Sequence, residues 1–299
     1  EDDGELVILK SVMEGEEEDS NDPTALNNQS FWKKLIIFAA GAFMNFLTGL
    51  IIIVALYAGA KAFYVPVITD FADGCPLQSE SGLQVGDRLV SIDGERVYVY
   101  SDVSLLLGRN KTGVFDLKVK RDGQTVTLKD FPMERAEYTD QQGQTYTGFG
   151  LMFGAEEATV GSRLRYSWNN AVDFVRIVRL SLQMLVTGEA GLKDVSGPVG
   201  IVSTITDVGE QAESASAAVE NIAYLAALLA VNLAVMNLLP LPALDGGKIF
   251  FLVVNALCML TIRKKIPEKF ESYVHLAGFA LLMLLMLVIT FQDVWKLFQ

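Results

Sequence analysis

Three stretches of this chain stay apolar long enough to cross a bilayer as helix: Leu35 to Tyr57, Ile222 to Leu239 and Tyr273 to Phe291. A helix needs about 20 apolar residues to span the hydrocarbon core. A fourth stretch, Ile249 to Leu260, is too short to span alone and extends the second. Between residues 62 and 158 the pattern changes to short alternating runs bounded by turn residues. Arg88 to Ile92 reads as a strand after a turn at Gly86-Asp87, with a hairpin turn at Asp93-Gly94. Val114 to Lys120 reads as a second strand, Arg121 to Gln124 as its turn and Thr125 to Lys129 as its return, with a short helix from Ser101 to Leu107 between the two hairpins. Farther on, Leu164, Trp168, Val172, Val175, Val178, Leu182 and Leu185 recur at helical spacing opposite Arg165, Asn169, Arg176, Arg179 and Gln183. Such an amphipathic helix either lies in the headgroup plane or packs as a scaffold against the spans.

The expected fold class is a polytopic α-helical membrane protein with an inserted extracytoplasmic, β-rich α+β domain. Its segments are an acidic stretch at 1–34, a span at 35–61, the inserted domain at 62–158 and the amphipathic helix with a Ser-Gly-Pro-Val-Gly segment at 159–220. A span broken near its end follows at 221–260, then a basic loop and the last span at 261–299.

The break is the place where chemistry is expected. Asn237-Leu-Leu-Pro-Leu-Pro-Ala-Leu-Asp-Gly-Gly247 sets two prolines, an acid and two glycines at the end of an apolar run. Non-helical backbone at membrane depth is tolerated where it is buried in protein or lines a wet cavity. An acid at that depth is a functional suspect. The plainer reading is a helix ending at the surface with Asp245 as a solvated cap.

Charge orients the chain. Lys33 and Lys34 abut the first span, and Arg263, Lys264, Lys265 and Lys269 fill the loop between the last two. Basic loops stay inside, so both are expected to be cytoplasmic, with the insert and the C-terminus outside. The net charge of −12, much of it from residues 1–22, speaks against nucleic acid as a partner. Cys75 and Cys258 fall in different parts of the chain, so no disulfide between them is expected. The acidic opening residues do not read as a secretory signal.

The run Gly82-Leu-x-x-Gly-Asp-x-Leu-x-x-Ile-Asp-Gly94, followed by helix and hairpin, resembles a bacterial PDZ domain. Such domains add an extended peptide to a sheet edge and receive its terminal carboxylate on main-chain amides at a glycine-rich turn. Gly148, Phe149, Gly150 and Leu151 match that turn and strand, which implies a peptide C-terminus as a partner.

The pieces together resemble the site-2 intramembrane zinc metalloproteases of the bacterial RseP and RasP type. Gly197, Pro198 and Gly200 match a Gly-Pro-x-Gly signature, and Asn237, Pro240, Asp245 and Gly246 match an Asn-x-x-Pro-x-x-x-x-Asp-Gly motif. Val12 to Pro23 and Phe31 to Lys34 look like the loop leading into the family's second span. Ala40-Gly-Ala-Phe-Met-Asn45 corresponds to a motif inside that span, with Ala42 where the family often has proline. Leu6 to Val12 lacks the family's Gly-Gly-Tyr-like stretch.

The resemblance implies hydrolysis of a peptide bond in or near the membrane. The substrates implied are single-span membrane proteins within the lipid bilayer of the bacterial cytoplasmic membrane, such as anti-sigma factors or signal-peptide remnants. It implies Zn2+ held by two histidines of a His-Glu-x-x-His helix and by the aspartate matching Asp245, with the glutamate as general base. It further implies that Asn237 and Asn45 bind substrate backbone or the developing oxyanion; an interhelical hydrogen bond is the alternative for each. The chain holds one histidine, His275, and no His-Glu-x-x-His. The catalytic residues are therefore expected in a first span absent from these residues, the chain alone is expected to be inactive, and His275 is expected to be structural. Two other classes stay open. A pseudoprotease would bind clients without cutting them, and a transporter would also break helices at membrane depth but should show internal repeats.

Overall fold

The computed structural model describes residues 26–139, 143–296 and 298; the acidic run and the Val12 to Pro23 stretch lie outside the described residues. In chain order the main elements are α1 (Phe31–Ala58), β1 (Ala62–Phe71), β2 (Arg88–Ile92), β3 (Glu95–Arg96), α2 (Ser101–Arg109), β4 (Val114–Arg121), β5 (Gln124–Pro132), β6 (Ala136–Thr139), β7 (Thr145–Gly148), β8 (Leu151–Glu157), α3 (Val160–Thr187), α4 (Pro198–Glu210), α5 (Ala215–Leu238), α6 (Asp245–Thr261) and α7 (Glu268–Lys296). Among the described residues α1, α5 and α7 are long and apolar enough to cross a membrane; α1 and α7 contain the first and last expected spans, and α5 covers the second up to Leu238. The chain divides into two compact units. One gathers the described residues up to Leu47, Gly191–Thr204 and those from Asn232 on; the other comprises Thr48–Ala190 and Ile205–Val231.

The second unit is built on an antiparallel sheet of order β5-β4-β2-β1-β8, with β3 paired to β2 and a separate β6-β7 hairpin. Strand alternation sends Phe115, Leu117 and Val119 of β4 into a core with Ile68, Leu83, Leu89 and Ile92. The Asp-Gly signals form their expected turns, with positive φ at Asp93 and Gly94 and at Asp122 and Gly123. Strands β1, β6 and β7 of this unit have no counterpart in the sequence reading. Strand β1 carries Pro66, and its pairing to β8 slips between Tyr64 and Ile68, which blurs its alternation. The β6-β7 hairpin presents mostly exposed residues and so has little apolar signature.

The orientation of α3 departs from the expectation. Arg176, placed by periodicity on the polar face, is buried, whereas Leu164 and Trp168 are exposed. Burial of Arg176 is tolerated because it meets two buried carboxylates, Asp102 of α2 at 2.6 Å and Asp173 on its own helix. Asp102 in turn accepts from the amides of Tyr98 and Val99. Arg176 also donates to the Arg96 carbonyl. Burial, and next the neighbouring Asp102 carboxylate, push the Asp173 carboxyl up to about 7 against the opposing pull of Arg176. One turn away, Asn170 Nδ2 donates to the Tyr57 hydroxyl at 2.8 Å and the Tyr224 hydroxyl at 3.4 Å, which ties α3 to α1 and α5 within this unit. Helices α1 and α5 approach closely at Gly49, where a Cβ would lie 2.7 Å from Val231 and 3.0 Å from the Ala227 carbonyl.

Candidate functional site

In the first unit α5 ends at Leu238 and α6 begins at Asp245. Pro240 and Pro242 have no amide hydrogen to continue a helical ladder, so the chain breaks there. Tight turns close the gap, with Leu241 N–H on the Leu239 carbonyl at 2.7 Å and Gly247 N–H on Leu244 at 3.0 Å. A Cβ on Gly246 would collide with the Leu239 carbonyl, and one on Gly247 with the Leu241 carbonyl. The glycines after Asp245 are therefore steric requirements of the break.

Asp245 is the first residue of α6, half-buried, and its carboxylate makes no hydrogen bond or ion pair among the described residues. It does not cap the helix. It faces α1 at Gly41, where a Cβ would stand 3.4 Å from Asp245 Oδ2. Asn45 lies one turn along α1 from Gly41, on the same face. Asn45 and Asn237 are both half-buried and, among the described residues, neither makes the interhelical hydrogen bond that was the alternative reading. Unpaired polar groups in apolar helices are costly unless something else satisfies them.

Zinc in a hydrolase takes three protein ligands and leaves one position for water. Among the described residues no three His, Cys, Asp or Glu side chains gather to hold a metal. Of the ligands the resemblance implies, only Asp245 is among these residues, and the described residues do not make a zinc site by themselves. His275 does not supply a second, because its Nδ1 accepts the Ala243 amide at 2.9 Å. It also borders a cavity of about 900 Å³ between α1, α6 and α7, which Phe38 and Lys248 line too.

A second concavity, of about 240 Å³, belongs to the β-rich unit. Strand β8 is the end of the sheet, so one edge of it is paired to no strand among the described residues. The groove lies between β8 and α2, with Tyr100, Val103 and Leu107 on one wall, Leu151 and Phe153 on the other, and Gly148, Phe149 and Gly150 closing the end. Gly150 has φ +70°, and a Cβ there would lie 2.8 Å from the Tyr138 ring and 3.0 Å from Cys75 Sγ. The β6-β7 hairpin thus props the loop, a support the sequence reading missed. The Gly150 carbonyl accepts the Ala72 amide, whereas the Phe149 and Gly150 amides donate to nothing among the described residues. Arg135 stacks on the Phe149 ring at 5.5 Å.

The model of peptidase family M50 matches residues 7–285. This chain belongs to peptidase family M50. A Clostridium perfringens protein named as a zinc metalloprotease is 34% identical over 283 residues, which cover 94% of this chain and 79% of that relative. A Clostridium acetobutylicum protein with the same kind of name is 32% identical over 282 residues, 94% of this chain and 78% of the relative. The regulator of sigma-W protease RasP of Bacillus subtilis is 34% identical over 270 residues, 89% of this chain and 60% of RasP. The chain thus spans about three fifths of RasP and under four fifths of the clostridial pair.

Within this M50 chain the Gly-Pro-Val-Gly motif does not form a second group around Asp245. Pro198 opens α4, where its missing amide hydrogen costs nothing. Asp293 Oδ2, on α7, accepts the amides of Gly197 at 2.8 Å and Gly200 at 2.9 Å. A Cβ on either glycine would fall 3.0 Å from that carboxylate oxygen, so the two glycines admit it to the helix end. Asp293 went unnoticed in the sequence because its partners lie more than ninety residues away.

Proposed function

We propose that this chain provides one zinc ligand, Asp245, and the substrate-recognising domain of an intramembrane zinc metalloprotease that cleaves membrane-spanning proteins. The unpaired Asp245 carboxylate on a broken, apolar helix in an M50 chain carries this reading. The names of the relatives support Zn2+ as the cofactor. The His-Glu-x-x-His pair and its general base then come from sequence outside these 299 residues. Asn45 and Asn237 hold the substrate backbone beside Asp245, since both offer amide groups that the helices leave unused. The protein sits in the bacterial cytoplasmic membrane as a multi-pass protein, with 62–158 outside and the loop around Arg263 to Lys265 inside. Substrates are single-span proteins of regulated intramembrane proteolysis, such as anti-sigma factors or signal-peptide remnants.

Residues 62–158 act as a PDZ domain. A peptide adds to the open edge of β8 and presents its C-terminal carboxylate to the Phe149 and Gly150 amides, with Arg135 adding a positive charge. The domain thereby admits substrates already shortened by another protease. Gly150→Val should abolish binding of such peptides while a peptide blocked by a C-terminal amide binds neither variant. Tight binding of the amidated peptide to the unaltered protein would count against carboxylate recognition.

The deciding experiment takes the protein from its native membrane and measures its intact mass, N-terminal sequence and zinc content, beside cleavage of a single-span substrate. One zinc per chain, lost together with cleavage in Asp245→Ala, supports the protease. A zinc-free protein that starts near Glu1 and still binds clients supports the pseudoprotease.

A further inference from the structure

The segment between α5 and α6 has few hydrogen bonds with which to hold a shape. Pro240 and Pro242 have no N–H to offer. Of the remaining amides, Leu239 bonds to Met236 at 3.1 Å, Leu241 to Leu239 at 2.7 Å and Leu244 to Leu241 at 3.3 Å, all local. The Ala243 amide alone reaches another helix, on His275 Nδ1 of α7. Ala243 sits at φ +74°, a left-handed conformation that a side chain disfavours and that its surroundings must impose. The α7 face that does so is shaped for close approach. Gly278, on the same face one turn from His275, is so near Pro242 that a Cβ would lie 3.0 Å from the proline's carbonyl carbon. The His275 ring is half-buried and packs on Phe251 with centroids 5.6 Å apart. A ring that accepts at Nδ1 keeps its proton on Nε2, which points toward the Glu271 carboxylate at 3.9 Å and has no closer partner among the described residues.

We infer that His275 is the positioning residue of the break: by accepting the Ala243 amide it sets the backbone turn that aims Asp245 into the site. The direction of the Asp245 side chain follows from the dihedrals two residues before it, and these are where α7 exerts its hold. The consequence for cleavage rests on the protease reading of Asp245; the tie itself does not. Asparagine is the informative substitute, because its Oδ1 can stand where the histidine Nδ1 accepts.

The test uses the complete protein in detergent or nanodiscs and reads two quantities, hydrogen exchange at the Ala243 amide and steady-state cleavage of a single-span substrate. His275→Leu should speed Ala243 exchange by about tenfold or more. It should lower kcat by about tenfold while KM stays within about threefold. His275→Asn should restore both the protection and most of kcat, and it keeps the test open if the leucine variant does not fold. Unchanged exchange and kcat in His275→Leu, or an asparagine variant that behaves like the leucine one, would overturn the inference. Asp245→Asn separates the two readings: it should abolish cleavage and leave Ala243 protected. Full cleavage by Asp245→Asn would remove the ligand assignment, and Ala243 exchange would still decide the role of His275.

Discussion

The carboxylates at the core of the β-rich unit and the acid at the helix break are partnered in opposite ways. In the β-rich unit, Asp87 is fully buried and meets Arg121 through two oxygens, at 2.8 and 2.7 Å, while also accepting the Gln84 amide. Arg176 likewise donates to the buried carboxylates of Asp102 and Asp173. By contrast, Asp245, Asn45 and Asn237 stand half-buried in apolar helices and make no such bonds among the described residues. Removing charge from water is costly, and a bidentate or multiply bonded partner offsets that cost. Where no partner is supplied by the fold, the group is held ready for something the fold does not contain. Paired acids here are structural and unpaired ones are candidates for chemistry.

The sharpest test of that contrast sets Asp245 against Arg176. Asp245→Ala should cut substrate cleavage by on the order of a thousandfold while unfolding shifts by no more than about 0.5 kcal/mol, because no bond within the fold is lost. Arg176→Ala should do the reverse. It strands two buried carboxylates and should destabilise the protein by about 3–5 kcal/mol, read from chemical denaturation in detergent. Equal effects of both variants on stability would end the distinction.

The Arg176 group also predicts a pH dependence with a definite sign. The Asp173 carboxyl titrates near 7 in the fold and near 3.8 when free, so the folded protein keeps a proton that the unfolded chain releases. Its stabilising contribution is complete below the lower value and is lost as pH rises through about 7. The melting temperature should therefore fall between pH 5 and pH 8, and Asp173→Asn should flatten that fall. A steeper fall in the asparagine variant would show that the proton resides elsewhere. Asp102 faces the same guanidinium, so Asp173→Asn leaves that contact in place.

Much of this architecture was legible in the chain because its causes are local. The apolar runs, the Asp-Gly turns and the strands Arg88–Ile92 and Val114–Arg121 need only nearby residues to explain them. Asp245 was legible for the same reason, as an acid placed beside prolines and glycines. What periodicity could not show were choices made by partners distant in sequence. Arg176 is buried because Asp102 lies beside it in space, seventy-four residues earlier in the chain. The β6-β7 hairpin exists to support Gly150, and its exposed residues carry no apolar pattern. The partners of Asp293 and His275 are likewise remote, so a lone acid and a lone histidine in a span gave no sign of what they held.

Asp293 supplies the smallest effect and the closest control, since it is an acid in the same unit as Asp245. It too lies in an apolar helix, and it is 4% exposed. Unlike Asp245, it has its partners, the two amides at the start of α4. If pairing is what separates structural acids from chemical ones, Asp293→Ala should behave as the loss of a helix cap. The cost should be about 1–2 kcal/mol of stability, with cleavage per folded molecule unchanged. Asp293→Asn should recover part of that stability, because the amide oxygen can still accept one of the two amides while the charge opposite the helix end is gone. A loss of cleavage in Asp293→Asn without a loss of stability would place this second acid in the chemistry and show that pairing alone does not mark a structural role.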